Sequence, residues 1–145
     1  LNGYTAQVVQ QALTDTPGRV RFTEGLDSYN HLITEGSAGR WVECTTLDEL
    51  IGADVVAGVK LDVQGAERLV LAGTSRALAE QRIALLQIEW NHQSENLLGE
   101  DRGPIAQLLD RYGYGLFRPD LDGRLQALAS TPGPGPDVFA APVRP

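Results

Sequence analysis

Residues 55–67 read Val55-Val56-Ala57-Gly58-Val59-Lys60-Leu61-Asp62-Val63-Gln64-Gly65-Ala66-Glu67, and this stretch decides the fold. Residues 55–63 are mostly apolar and β-branched, bounded by Asp54 before and Gln64-Gly65 after, which is the pattern of a strand buried on both faces of a parallel sheet. Residues 66–80 follow with apolar Leu69, Val70, Leu71, Ala77 and Leu78, interrupted at Gly73-Thr74, so one helix or two are expected. Residues 83–90 form a second run of the buried type. Strand, helix and strand in that order make a right-handed βαβ unit and favour a parallel sheet.

Upstream, residues 8–13 read as a short strand that enters the turn cluster Thr14-Asp15-Thr16-Pro17-Gly18, and residues 19–23 alternate as a half-exposed strand. The two are expected to form a hairpin. Residues 24–39 are polar and Gly-containing, the composition of a surface loop. Residues 41–45 alternate again, and Thr46-Leu47-Asp48-Glu49-Leu50 carries the capping-box pattern of a short helix. Downstream, residues 104–112 predict an amphipathic helix that starts at Pro104 and stops at Gly113. Residues 114–118 and 137–143 supply two terminal strands, separated by Asp120-Leu121-Asp122-Gly123 and a Pro/Gly loop over residues 131–136, so the last part of the sheet is expected to be antiparallel.

The chain has 145 residues, 42% of them hydrophobic, which supplies one compact core and leaves no room for a second full domain. A formal charge of -7 repels phosphate backbones and anionic lipid surfaces, so nucleic acid and membrane partners are disfavoured. No apolar run approaches the roughly 20 residues that cross a bilayer, and no secretory signal is visible. The single cysteine, Cys44, points to reducing surroundings and no cysteine-rich metal site, so the expected setting is cytoplasmic. With no methionine, and an opening Leu1-Asn2-Gly3 that reads as the end of an upstream helix, the chain is expected to be trimmed, processed or truncated.

The segment Val59-Lys60-Leu61-Asp62-Val63-Gln64-Gly65-Ala66-Glu67, followed by Val70-Leu71-Ala72-Gly73, resembles the most recognisable stretch of the FkbM family of methyltransferases. Further stretches fall in that family's order: Leu1-Asn2-Gly3 with Ala12-Leu13-Thr14-Asp15 and Gly18, then residues 45–50, then Ile88-Glu89-Trp90-Asn91, then Gly113-Tyr114 with Leu116-Phe117. The resemblance implies an α/β fold with the Rossmann-like sheet of class I methyltransferases, S-adenosylmethionine as cofactor, and residues 1–145 as the C-terminal portion of the domain. It also implies that the first strands and their Gly-rich turn precede Leu1, since no G-x-G turn joins a strand to a helix here. Gln64 departs from the family pattern, which has Glu at that position. By the resemblance, Ala12, Leu13, Asp62 and Gln64 are the expected cofactor contacts.

Ligands of open α/β sheets sit beyond the carboxyl ends of the strands, where this chain carries Asp62, Gln64, Glu89, Asn91 and His92. Methyl transfer needs alignment and, for a hydroxyl acceptor, removal of a proton. Asp62, His92 and Glu67 are the catalytic candidates. Asp62 is two residues from Lys60 on the same strand face, so it either serves the reactants or forms a structural pair. Glu67 sits in the first turn of a helix, where a carboxylate is favoured by the helix dipole alone. His92 has the intrinsic pKa of a general base, yet a loop histidine is commonly just solvated. Glu89 lies inside an apolar pattern and needs a ligand or an ion pair if buried. Trp41 and Trp90 either line an acceptor pocket or fill core. His31 is assigned no role, and no ligand spacing points to a metal.

Three functions fit these residues. The first is an O-methyltransferase acting on a small-molecule or sugar hydroxyl, in a chain that need not be active alone. The second is a non-catalytic α/β interaction module that self-associates through an uncovered sheet edge. The third is a carboxylate-based hydrolase.

Overall fold

The computed structural model describes residues 3, 5–25, 30–33 and 39–143. Strands β1 (Ala12–Leu13), β2 (Gly18–Phe22), β3 (Leu32–Ile33) and β4 (Arg40–Thr45) form one sheet in the order β1-β4-β2-β3. β4 runs antiparallel to β2, with Val20 opposite Val42, and parallel to β1, with Ala12 opposite Cys44. The hairpin expected between residues 8–13 and 19–23 therefore does not form. Thr14 N–H donates to Thr45 O at 3.0 Å and its hydroxyl to Thr16 O at 2.6 Å, so the turn carries the chain across β4 instead of back along β1. The loop expected over residues 24–39 contains β3, paired antiparallel with β2. Its residues 26–29 and 34–38 lie outside the described ones, as do Leu1 and Asn2 of the opening motif.

Helix α1 (Leu47–Ile51) starts where the cap predicts: Thr46 Oγ1 accepts the Glu49 N–H at 3.1 Å. The reciprocal half of the capping box is replaced, because the Glu49 carboxylate takes the Thr45 hydroxyl instead. The chain continues through β5 (Val59–Leu61), α2 (Glu67–Ala72), α3 (Ser75–Ala79), β6 (Leu86–Ile88), α4 (Gln93–Leu98), α5 (Gly103–Arg111), β7 (Tyr114–Pro119), β8 (Leu125–Ala127) and β9 (Val138–Pro142). These strands make a second sheet in the order β5-β6-β9-β7-β8, with β5 at one edge. β5 and β6 are parallel, Leu61 opposite Ile88, with α2 and α3 as the connection, as the βαβ reading requires. β9 runs antiparallel to both β6 and β7, which matches the antiparallel ending expected. β5 is shorter than residues 55–63: the first part pairs only through a Val56–Ile83 bridge, and Val55 is exposed.

Leu61, Leu86, Ile88, Val138 and Ala140 share one face of this sheet and pack in a single core with Val70, Leu71 and Leu78 of the crossover helices and Ile105 and Leu109 of α5. Burying each such side chain fully is worth about 1.5–3 kcal/mol. Side chains alternate along a strand, so Lys60, Gln87 and Phe139, which are neighbours in register, occupy the other face.

The interruption at Gly73-Thr74 splits the long helix and joins the two sheets. A Cβ on Gly73 would lie 2.2 Å from Thr14 O, and Gly73 O accepts the Asp48 N–H at 3.1 Å. The Asp48 carboxylate in turn accepts the N–H groups of Arg76 and Ala77, each at 2.8 Å, capping α3 from another element. No described helix is long and apolar enough to cross a membrane.

Candidate active site

The chain reverses sharply after β5. Gln64 adopts φ 53°, uncommon for a residue with a side chain, and Gly65 adopts φ 97°. Gly65 is required twice over, since a Cβ there would also lie 2.6 Å from the backbone carbonyl of Gln93 at the start of α4. Glu67 folds back beneath this turn. Its Oε1 accepts the N–H groups of Val63 and Gly65, both at 3.2 Å, and its Oε2 accepts Arg102 Nη1 at 2.9 Å. Arg102 also donates to Asn91 O and Asn91 Oδ1, each at 3.0 Å, and its guanidinium lies 5.5 Å from the centroid of the Trp90 ring. Asn91 Oδ1 accepts the Gln93 N–H at 2.9 Å and so begins α4. One buried ion pair thus ties the exits of β5 and β6 to the starts of α2, α4 and α5.

Asp62 leaves β5 on the opposite side of the turn. It receives Lys60 Nζ at 2.7 Å and Gln64 Nε2 at 3.3 Å, and its side chain is 41% exposed. The Lys60 hydrogen bond and charge hold its carboxyl below the usual range, and Lys60 is raised in return. Asp62, Val63, Gln64 and Ala66 form one wall of a cleft of about 530 Å³ whose other wall is Gln11, Ala12, Leu13, Phe22, Asn30 and Leu32 of the first sheet. Ala12, Leu13, Asp62 and Gln64 therefore face a common space. A second cavity of about 540 Å³ shares Gln11, Ala12, Phe22 and Asn30 with the first and adds Thr23, Arg40 and Val42.

The remaining candidates are dispersed. Glu67 is fully enclosed, at 0% exposure, and lines neither cavity. His92 precedes α4 with its side chain 73% exposed, 4.0 Å from Glu95. Glu89 lies beside Leu61, donating its N–H to Leu61 O at 2.9 Å, and its Oε2 is buried without a hydrogen-bond partner among the described residues. Trp90 is core, with its indole N–H given to Pro132 O at 2.9 Å. Trp41 lines neither cavity: it is 56% exposed, with the guanidinium groups of Arg19 and Arg21 at 5.7 and 5.9 Å from its ring centroid. Among the described residues no cluster of His, Cys, Asp and Glu has the arrangement to hold a metal ion. Arg102 was not among the residues the sequence singled out. The burial of Glu67 requires a cation beside it, but that burial is visible only in the structure, so no sequence signal marked Arg102.

A family model described as the methyltransferase FkbM domain matches residues 3–116, a span that runs from ahead of β1 into β7 and includes the whole β5–α2 turn. The crystal structure of methyltransferase FkbM from Methylobacillus flagellatus KT is similar with a TM-score of 0.53 and 20% identity, covering 92% of this chain and 28% of that one. That likeness is one of fold, a mixed α/β architecture, and this chain spans less than a third of that protein's length. Among curated proteins none matches. With the family pattern extending over most of its length, the chain belongs to the methyltransferase FkbM domain family.

Proposed function

We propose that this chain is part of an S-adenosylmethionine-dependent O-methyltransferase that modifies a hydroxyl of a small molecule or sugar. The observation that carries the reading is the single cleft in which Ala12, Leu13, Asp62 and Gln64 meet. A Rossmann-like sheet is supported by the parallel β5–β6 pair and by β9 inserted antiparallel between β6 and β7. In open sheets of that kind the ligand lies beyond the strand ends, where Asp62 stands.

The residues present fit the cofactor. Ala12, Leu13, Phe22 and Leu32 offer apolar walls to a flat base, and ionised Asp62 offers acceptor oxygens to sugar hydroxyls. When bound, the cofactor supplies an already activated methyl group, so the protein's work is alignment and proton removal. Asp62 and Gln64 orient the reactants. Glu67 acts as a positioning residue through the turn that it braces. The proton acceptor stands at the exits of β5 and β6, where Asp62 and His92 are the candidates read from sequence. A cytoplasmic setting suits the lone buried Cys44. The second reading, a non-catalytic module, draws on β5 being an edge strand, to which a further strand or a second copy would add.

Calorimetric titration of the full-length protein with S-adenosylmethionine tests the first reading, with saturable binding expected. Asp62→Ala is expected to weaken binding about tenfold while costing no more than about 1 kcal/mol of stability, because the Lys60–Asp62 pair is largely exposed. Absence of heat at millimolar donor refutes the reading, and unchanged affinity in Asp62→Ala removes that residue from it.

A further inference from the structure

We infer that Glu89 is the group that takes the proton from the acceptor hydroxyl, with Asp62 beside it as the carboxylate that tunes it; the inference rests on the methyltransferase reading above. The register of β5 and β6 pairs Lys60 with Gln87 and Leu61 with Ile88, and the Glu89 N–H bonds Leu61 O. Asp62 and Glu89 therefore leave adjacent parallel strands together, on the face opposite the apolar core. Asp62 lines the cleft, so Glu89 stands one strand further on from the proposed donor site.

The surroundings of Glu89 are those of a carboxyl that exchanges protons. Its Oε2 is buried and unpaired among the described residues, an arrangement that native structures rarely keep without a use. The charged and polar groups whose fields reach it are Asp62 and Lys60 from β5, Glu67 from the start of α2, Asp137 ahead of β9, and Asn91 at the exit of β6. Burial and the neighbouring anions Asp62, Glu67 and Asp137 raise its pKa, while a hydrogen bond from Asn91 partly offsets them. Lys60 holds Asp62 ionised beside it, a fixed negative charge on the neighbouring strand. Of the pair, Asp62 stays ionised and Glu89 titrates. A carboxylate whose pKa is raised toward the working pH is a better base than an ordinary one. His92 lacks such ordering: its contact is Glu95 at 4.0 Å, in solvent.

In the step, the acceptor O–H bond breaks and its proton passes to Glu89. The oxygen's electron pair forms the bond to the methyl carbon as the carbon–sulfur bond breaks, and that electron pair leaves with sulfur as a neutral sulfide. The proton on Glu89 is then lost to water.

The test has three arms on the full-length protein: carboxyl ¹³C NMR titration, binding of S-adenosylhomocysteine, and transfer of labelled methyl from S-adenosylmethionine to a panel of methyl glycosides. The Glu89 carboxyl is expected to titrate above the ordinary glutamate range and to move down in Asp62→Asn. Glu89→Gln is expected to bind S-adenosylhomocysteine within threefold of wild type yet lose on the order of 100-fold or more in kcat. Glu89→Asp should recover part of that loss, with a shifted acid limb in the pH profile. A Glu89 carboxyl titrating in the ordinary range overturns the inference whether or not a glycoside is methylated. So does turnover that survives in Glu89→Gln, or a larger loss in His92→Gln. Failure of the wild type to bind S-adenosylhomocysteine sinks the methyltransferase reading while leaving the paired titration standing.

Discussion

Removing Arg102 is the sharpest way to test how the site is held. Arg102→Met keeps a long apolar stem over Trp90 and deletes the cation, leaving the Glu67 carboxylate fully buried with two backbone N–H donors at 3.2 Å and no countercharge. Breaking one side of a buried pair costs about 3–5 kcal/mol, because the remaining charge is neither solvated nor matched. Two further hydrogen bonds, to Asn91 O and Oδ1, are lost with it. For a chain of this size the melting temperature should fall on the order of 10 °C. The companion Glu67→Gln/Arg102→Met removes both charges and should be less destabilised than the sum of the two single variants by about 2 kcal/mol or more. Urea denaturation of the four proteins measures this cycle. A single-variant cost under about 1 kcal/mol, or strict additivity, would refute the claim that this pair anchors the turn.

Two other perturbations follow from the geometry. Gly65→Ala puts a methyl 2.6 Å from the Gln93 carbonyl in a backbone with φ 97°, so a loss of about 2 kcal/mol or more is expected, with weaker donor binding because Gln64 moves too; a variant as stable as wild type by thermal melting contradicts the close approach of α4. Glu89 has a folded pKa raised above its ordinary 4.5, so its contribution to stability is complete below that value and is lost as pH rises through the raised one. Glu89→Gln, neutral throughout, should therefore gain on wild type in calorimetric melts between pH 4 and pH 7, and a gap that does not change with pH counts against the burial argument.

The parts of the fold written in local pattern were legible. Apolar runs around Leu61 and Ile88 with a helical stretch between them gave the parallel pair, and Gly73-Thr74 gave the break between α2 and α3. What required distant partners was not. The true neighbour of β1 is β4, some thirty residues on, and nothing in the turn at residues 14–18 announces it, so the reading defaulted to a local hairpin. Gln93–Leu98 shows no apolar period, so nothing in the pattern announces α4; its marks are the Asn91 side chain that takes the Gln93 N–H just ahead of it and the left-handed Gly99 that ends it. β8 was hidden among turn residues because all three of its side chains are exposed. At the site, the strand-end position of Asp62 was readable, but the ion pair that encloses Glu67 depends on Arg102, thirty-five residues away. A carboxylate at a helix start looks the same in sequence whether it meets solvent or a buried guanidinium.

The contact between Gly73 and Thr14 bears on how such a cleft can diverge. Where the helix break meets the turn after β1 the approach is too close for any side chain between Gly73 and Thr14 O, and neither residue lines the cleft. Ala12, Leu13, Phe22 or Leu32 can then be exchanged for other apolar residues, altering what is gripped while the mouth keeps its width. Architecture of that sort tolerates drift in the walls without loss of the cleft between them.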